Sequence, residues 1–364
     1  MSGGLDILAV EPFYGGQRKW VLDVITRLSR HRWRTMTLPA RRIQRRVATS
    51  AVWFAEQYHR HPITRVDALF VTDALNLSEF IRLVPPMTRI PSLLYFQDNE
   101  LAAPTDDDLT GTTANLASAM AAGRFYFNSV FHKQMFMARL DVLARTQPDL
   151  AGNTPSAELL ARADVLPPPL DMEILNTSTT IPPTTTPQTY PRATRRMRRR
   201  ILVDTHSADM DLLNGALELV ARAGQIFEIA CYGPTAGLPE EFLVKRIPET
   251  DFVQLAEGLR EAGLYVSTHR ASLCDLTPLL ALVAGAGVIV PAEGSFRDAF
   301  PEPLHAWNLY QPTAPKLRDR IVDHLTLAAP ADLSSLTEAA LAPHEAKRAV
   351  RAIDDALEEL AAGE

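Results

Sequence analysis

At 364 residues, with 46% apolar and 22% charged side chains, the chain is too long for one ordinary core and too average in composition for global disorder or a membrane protein. Two domains of roughly 150 residues each are the expectation. The net charge of −6 excludes a protein that coats nucleic acid indiscriminately, though not a local basic patch, and two cysteines, Cys231 and Cys274, exclude a disulfide framework and a four-cysteine zinc site.

That cysteine usage predicts a reducing, cytoplasmic setting. The N-terminal MSGGLDILAVEPFYGG lacks a basic leader region, and its apolar run is too short for a signal peptide or a membrane span. Leu5 to Val10 therefore reads as a first strand, followed by a glycine turn and a helix over Arg18 to Leu28. The pattern recurs at DALFVT (67–72), PSLLYFQ (91–97) and FYFNS (125–129), the last leading into a helix from Val130 to Leu140. Strands alternating with helices imply right-handed crossovers and a parallel sheet covered on both faces.

Between residues 171 and 200 the composition turns to Thr, Pro and Arg with no apolar period, which reads as an interdomain linker. A second series follows at RILVDT (200–205), FEIACYG (227–233), GLYVST (263–268) and GVIVP (287–291). A terminal amphipathic helix is expected over His344 to Leu360. The expected domains are residues 1–170, a linker over 171–200, residues 201–340, and a C-terminal helix within 341–364.

Three features carry possible chemistry. Gly15 and Gly16, with Arg18 and Lys19 behind them, occupy a strand-to-helix turn, where backbone N–H groups attract anions; a plain tight turn is the alternative. Gln97, Asp98, Asn99 and Glu100 end a strand, where ligands bind in open α/β sheets, or else they cap the next segment. Arg41, Arg42, Arg45 and Arg46 would form one basic face if helical, suited to phosphates or merely solvated. A basic run over 195–200 is a further candidate for salt-dependent contacts. Signatures of zinc proteases, P-loop NTPases, thiol redox proteins and serine hydrolases are absent, and the histidines form no convincing metal set.

Taken together, EPFYGGQRK, TLPARRIQRRVATSAVWFA, VTDALNLSEF, LLYFQDNEL and FYFNSVFHKQMF resemble, in order and spacing, successive blocks of the tRNA-queuosine α-mannosyltransferase family. The resemblance implies an α/β chain of the GT-B type, two Rossmann-like domains with parallel sheets facing across a cleft. It implies mannose transfer from GDP-mannose to the cyclopentenediol of queuosine in tRNA, with no metal, cofactor or membrane. Asp98, Asn99 and Glu100 would then be catalytic, with Asn99 keeping the residue of the family's H-E-N-Q block. Gly15, Gly16 and Lys19 would lie near the donor diphosphate, and Arg41, Arg42, Arg45 and Arg46 would meet the tRNA.

The C-terminal half resembles the family more faintly. Where the family carries P-H-R-W-E-H-D-K, this chain has VDTHSADMD (203–211), without the phosphate-gripping Arg and Lys. The two glutamates of the family's E-x7-E element correspond to Ser272 and Leu280, and its glycine to Asp275. His206, His269, Arg270 and Arg297 are the available substitutes, and His269 and Arg270 follow a strand end directly. Pro301 and Glu302 match a Pro-Glu pair of the family. Three readings follow: a transferase with a rebuilt donor site, a GT-B chain that binds RNA or a partner without transferring sugar, or a transferase acting on another acceptor such as a glycan or small metabolite, against which the basic block Arg41 to Arg46 counts.

Overall fold

The computed structural model describes residues 4–98, 110–146, 156–171, 199–206, 208–248, 252–270 and 272–363. The chain forms two compact units, one of residues 1–169 and 346–364, the other of residues 170–345. Most of the Thr/Pro/Arg-rich segment lies outside the described residues.

The first unit runs β1 (Asp6–Tyr14), α1 (Gly16–Leu28), β2 (Arg32–Pro39), α2 (Ile43–Arg60), β3 (Ala68–Thr72), α3 (Leu77–Leu83) and β4 (Ser92–Phe96). Then come α4 (Thr110–Ala121), β5 (Arg124–Phe127), α5 (Val130–Thr146), α6 (Ser156–Ala161) and β6 (Ala163–Val165). Its six strands lie in the order β2-β1-β3-β4-β5-β6, and every pairing is parallel. All five residues of β3 and of β4 are buried, as expected of strands covered by helices on both faces. Phe96, Phe125, Phe127 and Phe136 interlock in the core with ring centroids 5.0–6.2 Å apart.

The second unit runs β7 (Arg200–Asp204), α7 (Met210–Arg222), β8 (Glu228–Tyr232), β9 (Leu243–Ile247), α8 (Phe252–Glu261), β10 (Leu264–Ser267), α9 (Thr277–Val283) and β11 (Gly287–Pro291). It closes with α10 (Phe296–Ala299), α11 (Glu302–Asn308), β12 (Leu309–Tyr310), α12 (Ala314–Thr326) and α13 (Leu333–Leu341). Its parallel strands take the order β12-β11-β10-β7-β8-β9, that of a Rossmann sheet. Asp209 starts α7 by accepting the Leu212 N–H at 3.0 Å, an N-cap bond that satisfies one of the orphan donors of the first turn.

Two expectations are corrected. The first strand continues past Val10 to Tyr14, because Glu11 pairs with Thr37 and Tyr14 with Pro39 of β2, a strand not read from sequence. The block Arg41 to Arg46 is only partly helical: α2 begins at Ile43, and Arg42 caps it in a left-handed conformation (φ 51°, ψ 71°).

The last helix, α14 (Ala346–Ala362), packs in the first unit. Leu360 occupies the space a side chain at Gly123 would need, 2.7 Å from the position of a Cβ there. Buried Asp354 accepts the Ser29 hydroxyl at 2.5 Å and the Arg30 N–H at 3.0 Å, so it holds the turn that leaves α1 from a helix more than 300 residues away. Asp354→Ala leaves that N–H without its acceptor. It is expected to cost about 1–3 kcal/mol, read as a lower urea midpoint at unchanged slope.

Candidate functional site

Ligands of open parallel sheets bind beyond the carboxyl ends of the strands, where strand order reverses. In the first unit that point lies between β1 and β3, and the structure puts buried charge there. Arg18 of α1 donates to both carboxylate oxygens of Asp73, which follows β3, at 3.0 and 2.5 Å. Its guanidinium also stands 3.9 Å from Glu11 of β1. Glu11 is fully buried and its other oxygen accepts the Phe13 N–H at 2.7 Å. Burial pushes the Glu11 carboxyl up, with Arg18 opposing. Burial pulls Arg18 down, but Asp73 and Glu11 outweigh it and hold the guanidinium more firmly charged than usual.

Both backbone groups of Gln97, the residue after β4, are held by buried side chains. Its N–H donates to Asp73 Oδ1 at 2.8 Å, and its carbonyl accepts from Asn128 Nδ2 at 2.9 Å. A carbonyl only accepts, so the Asn128 amide nitrogen faces Gln97 and its oxygen faces His132, 2.7 Å from Nδ1. His132 Nδ1 therefore carries the proton and Nε2 is a bare acceptor. His132 Nε2 and Gln97 Oε1 are buried without a hydrogen-bond partner among the described residues. Two side-chain chains, Arg18–Asp73 and His132–Asn128, thus converge on the residue that precedes Asp98.

Burial, seconded by the Arg18 charge, lowers the His132 pKa from 6.5 to about 3. The folded chain consequently binds fewer protons here than the unfolded one. The stabilisation is present above pH 6.5 and is lost as pH falls toward 3, by up to about 1.4 kcal/mol per pH unit. His132→Leu is expected to flatten that acid-side slope in urea titrations between about pH 6 and 4. An unchanged slope would place the acid sensitivity elsewhere, such as at His324 in the second unit, held at about 4 by burial.

Gly15 is the N-cap of α1 and Gly16 its first residue, at φ +53°, a conformation that favours glycine. Lys19 pairs with Asp23 and lies 4.9 Å from the centroid of the Tyr14 ring, so its charge is already engaged. Asp98 is exposed, and Asn99 and Glu100 lie outside the described residues. Arg41, Arg42 and Arg45 are exposed, and Arg46 donates to the Pro39 carbonyl at 3.1 Å.

In the second unit the order reverses between β7 and β10, and carboxylates dominate the strand ends. Asp204, the last residue of β7, accepts from the His206 N–H and Nδ1, both at 2.9 Å, and from the Tyr265 hydroxyl at 3.1 Å. Burial and then Asp204 push the Asp275 carboxyl up to about 6. Gly233, at φ +108°, makes room for His206: a Cβ there would stand 2.8 Å from the imidazole Cε1. The Tyr232 ring lies 4.6 Å from that imidazole, centroid to centroid.

His269 follows β10 and donates its N–H to Ser267 Oγ at 3.2 Å; burial lowers its pKa, favouring the neutral imidazole. Arg270 is half-exposed and bonded through Nε and Nη2 to both carboxylate oxygens of Glu293, at 2.9 and 3.1 Å. Arg297 is exposed. Sequence reading missed Glu11, Asp73, Asn128 and His132. The signal available for Asp73 and Asn128 was a polar residue directly after an apolar strand; Glu11, inside β1, and His132, inside α5, carry no such signal. Among the described residues, no group of three or more His, Cys, Asp or Glu is placed to hold a metal ion, and no helix is long and apolar enough to cross a membrane.

Residues 6–170 match the family described as tRNA-queuosine alpha-mannosyltransferase N-terminal. The Drosophila melanogaster tRNA-queuosine alpha-mannosyltransferase is 30% identical over 172 residues, which take in 46% of this chain and 45% of that protein. The match thus spans about half the length of either chain. Among solved structures, the Candida albicans trehalose-6-phosphate phosphatase N-terminal domain superposes with a TM-score of 0.68 at 12% identity, over 99% of this chain and 97% of that one. A glycosyltransferase from Rickettsia africae superposes with a TM-score of 0.61 at 12% identity, over 98% of each chain. These likenesses show the fold, which is α/β of the GT-B class.

Proposed function

We propose, from the match of residues 6–170 to the tRNA-queuosine alpha-mannosyltransferase N-terminal family, that this chain moves mannose or another hexose from a nucleotide sugar to queuosine in tRNA. That match carries the reading, and the GT-B fold supports it by supplying a Rossmann sheet whose strand-order reversal suits a nucleotide. In this reading the first unit holds the acceptor. Asp98, Asn99 and Glu100 stand at the reacting hydroxyl, and Arg41, Arg42, Arg45 and Arg46 meet tRNA phosphates. Gly15, Gly16 and Lys19, with His269 and Arg270, serve the donor diphosphate, with GDP-mannose the first donor to test. The reaction needs no metal or cofactor and belongs in the cytoplasm.

A second reading, RNA binding without transfer, is favoured by one observation. Asp204 and Asp275 stand at the second unit's strand ends, while Arg270 is neutralised by Glu293. The deciding experiment incubates the full chain with queuosine-containing tRNA and GDP-mannose, then analyses the digested nucleosides by mass. Hexosylated queuosine is the expected result. Silence with every nucleotide sugar tried, beside a working control enzyme, would select the second reading.

A further inference from the structure

The arginine segment begins at the ligand-binding edge of the first sheet. Pro39, at the carboxyl end of β2, pairs with Tyr14, and Ala40 sits so close to the β1–α1 turn that a Cβ on Gly15 would meet its Cβ at 2.4 Å. From there the chain passes Arg41 and Arg42 and enters α2. Among the described residues Arg42 is the only non-glycine with positive φ, a conformation that costs roughly 1–2 kcal/mol per residue. Its side chain makes no cap bond in return. Glycine would take this conformation without the strain, and the Arg42 side chain is exposed.

Charge points the same way. Arg18, Arg30, Arg32, Arg60 and Arg65 of this unit all form ion pairs. Arg34 and Arg89 form none among the described residues, nor do Arg41, Arg42 and Arg45, which differ in standing close together in sequence and so concentrate exposed positive charge in a chain of net charge −6. Along α2 the exposed stripe continues through Thr49 to Val52 and Trp53, which are 55% and 40% exposed. Trp53 touches Phe54 edge-on, at 5.0 Å and 84°, a contact with no stacking between the two rings. At 1.5 Å per residue, Arg45 and Trp53 lie about 12 Å apart along the axis.

We propose that this track, Arg41–Arg42–Arg45 continuing to Val52 and Trp53, docks single-stranded RNA flanking the nucleotide held at the strand ends. The arginines take phosphates and Trp53 stacks on an unpaired base. A single strand is specified because a duplex keeps its bases stacked on one another and offers none to an indole. The inference rests on the proposed function only for what occupies the strand ends.

The test uses the full chain and a short labelled RNA without queuosine or sugar donor, read by fluorescence anisotropy at several salt concentrations. Trp53→Ala is expected to weaken binding about tenfold at unchanged salt slope, with Trp53→Phe restoring most of it. Arg41→Ala with Arg45→Ala is expected to lower the slope of log affinity against log salt by about 1.4. Arg41 and Arg45 are exposed, so thermal unfolding should not move in the arginine variant; Trp53, 40% exposed and edge-on to Phe54, should lower the midpoint as alanine, and Trp53→Phe separates that loss from the loss of binding. Trp53→Ala binding like the parent, no RNA binding by the parent, or an equal Trp53 dependence with duplex RNA would each overturn the track. Hexose transfer with a normal tRNA KM in Trp53→Ala would overturn the track and leave the proposed function standing. Trp53-dependent binding without transfer would do the reverse.

Discussion

Replacing Arg18 with alanine is expected to lower the stability of the first unit by about 3–5 kcal/mol, the usual cost of leaving a buried charge without its partner. Two carboxylates depend on that guanidinium. Asp73 is bonded to it twice, and Glu11, fully buried and pushed up by burial, has it as the opposing charge. A carboxyl raised in the folded state contributes stability that is complete below its unfolded pKa and is lost as pH rises through the folded one. Arg18→Ala raises Glu11 further, so the loss should deepen from mildly acidic to neutral pH, and Glu11→Gln in the same chain should recover part of it. Urea unfolding at two pH values decides this. A loss below about 1 kcal/mol, or one that shrinks as pH rises, would mean that the ion pair does not hold the strand ends together.

Neutralising Asp275 should have the opposite character, a gain. In the proposed function a nucleotide diphosphate must sit near the ends of β7 and β10, where Asp204 and Asp275 add negative charge. One unit charge at about 10 Å, with an effective dielectric of 20, contributes about 1.7 kcal/mol. Asp275→Asn is therefore expected to tighten GDP binding roughly tenfold near pH 8 and hardly at all near pH 5. The difference arises because burial and Asp204 hold the Asp275 carboxyl at about 6, so in acid it is already neutral. The parent chain should accordingly bind GDP better as pH falls through about 6. The same variant should also be more stable above that pH, since the raised carboxyl withholds its stabilisation there. Calorimetric titration and thermal unfolding read the two effects separately. Equal GDP affinity for parent and variant at both pH values would place the nucleotide away from these strand ends.

Much of the architecture is legible in the sequence. GVIVP is a strand from Gly287 to Pro291 as read, and the other apolar runs differ from their strands by a few residues at the ends. Short runs of buried residues announce strands covered on both faces, and the helices between them follow from their spacing. β2 escapes because it is an edge strand, its Arg32, Arg34 and Thr35 exposed, so it lacks the continuous apolar run of the inner strands. The candidate site is less legible for a different reason. Arg18 reads as a free cation behind a glycine turn, yet its partner lies 55 residues away at another strand end. His132 sits inside an ordinary helix, and only the folded chain brings it to Asn128 and so to Gln97. Residues that meet across the top of a sheet have no fixed spacing along the chain.

The return of α14 to the first unit makes the second unit, in gene terms, an insertion. Leu170 and Glu345, its two ends, form a parallel bridge, with the Leu170 N–H on the His344 carbonyl at 2.7 Å. A cassette whose entry and exit are adjacent can be removed or exchanged with a short splice, whereas cutting the chain at residue 170 would strip the first unit of its last helix. A stand-alone first unit would have to be spliced as 1–169 joined to 346–364. The same arrangement lets the inserted cassette change its surface charge without altering the packing of the host sheet.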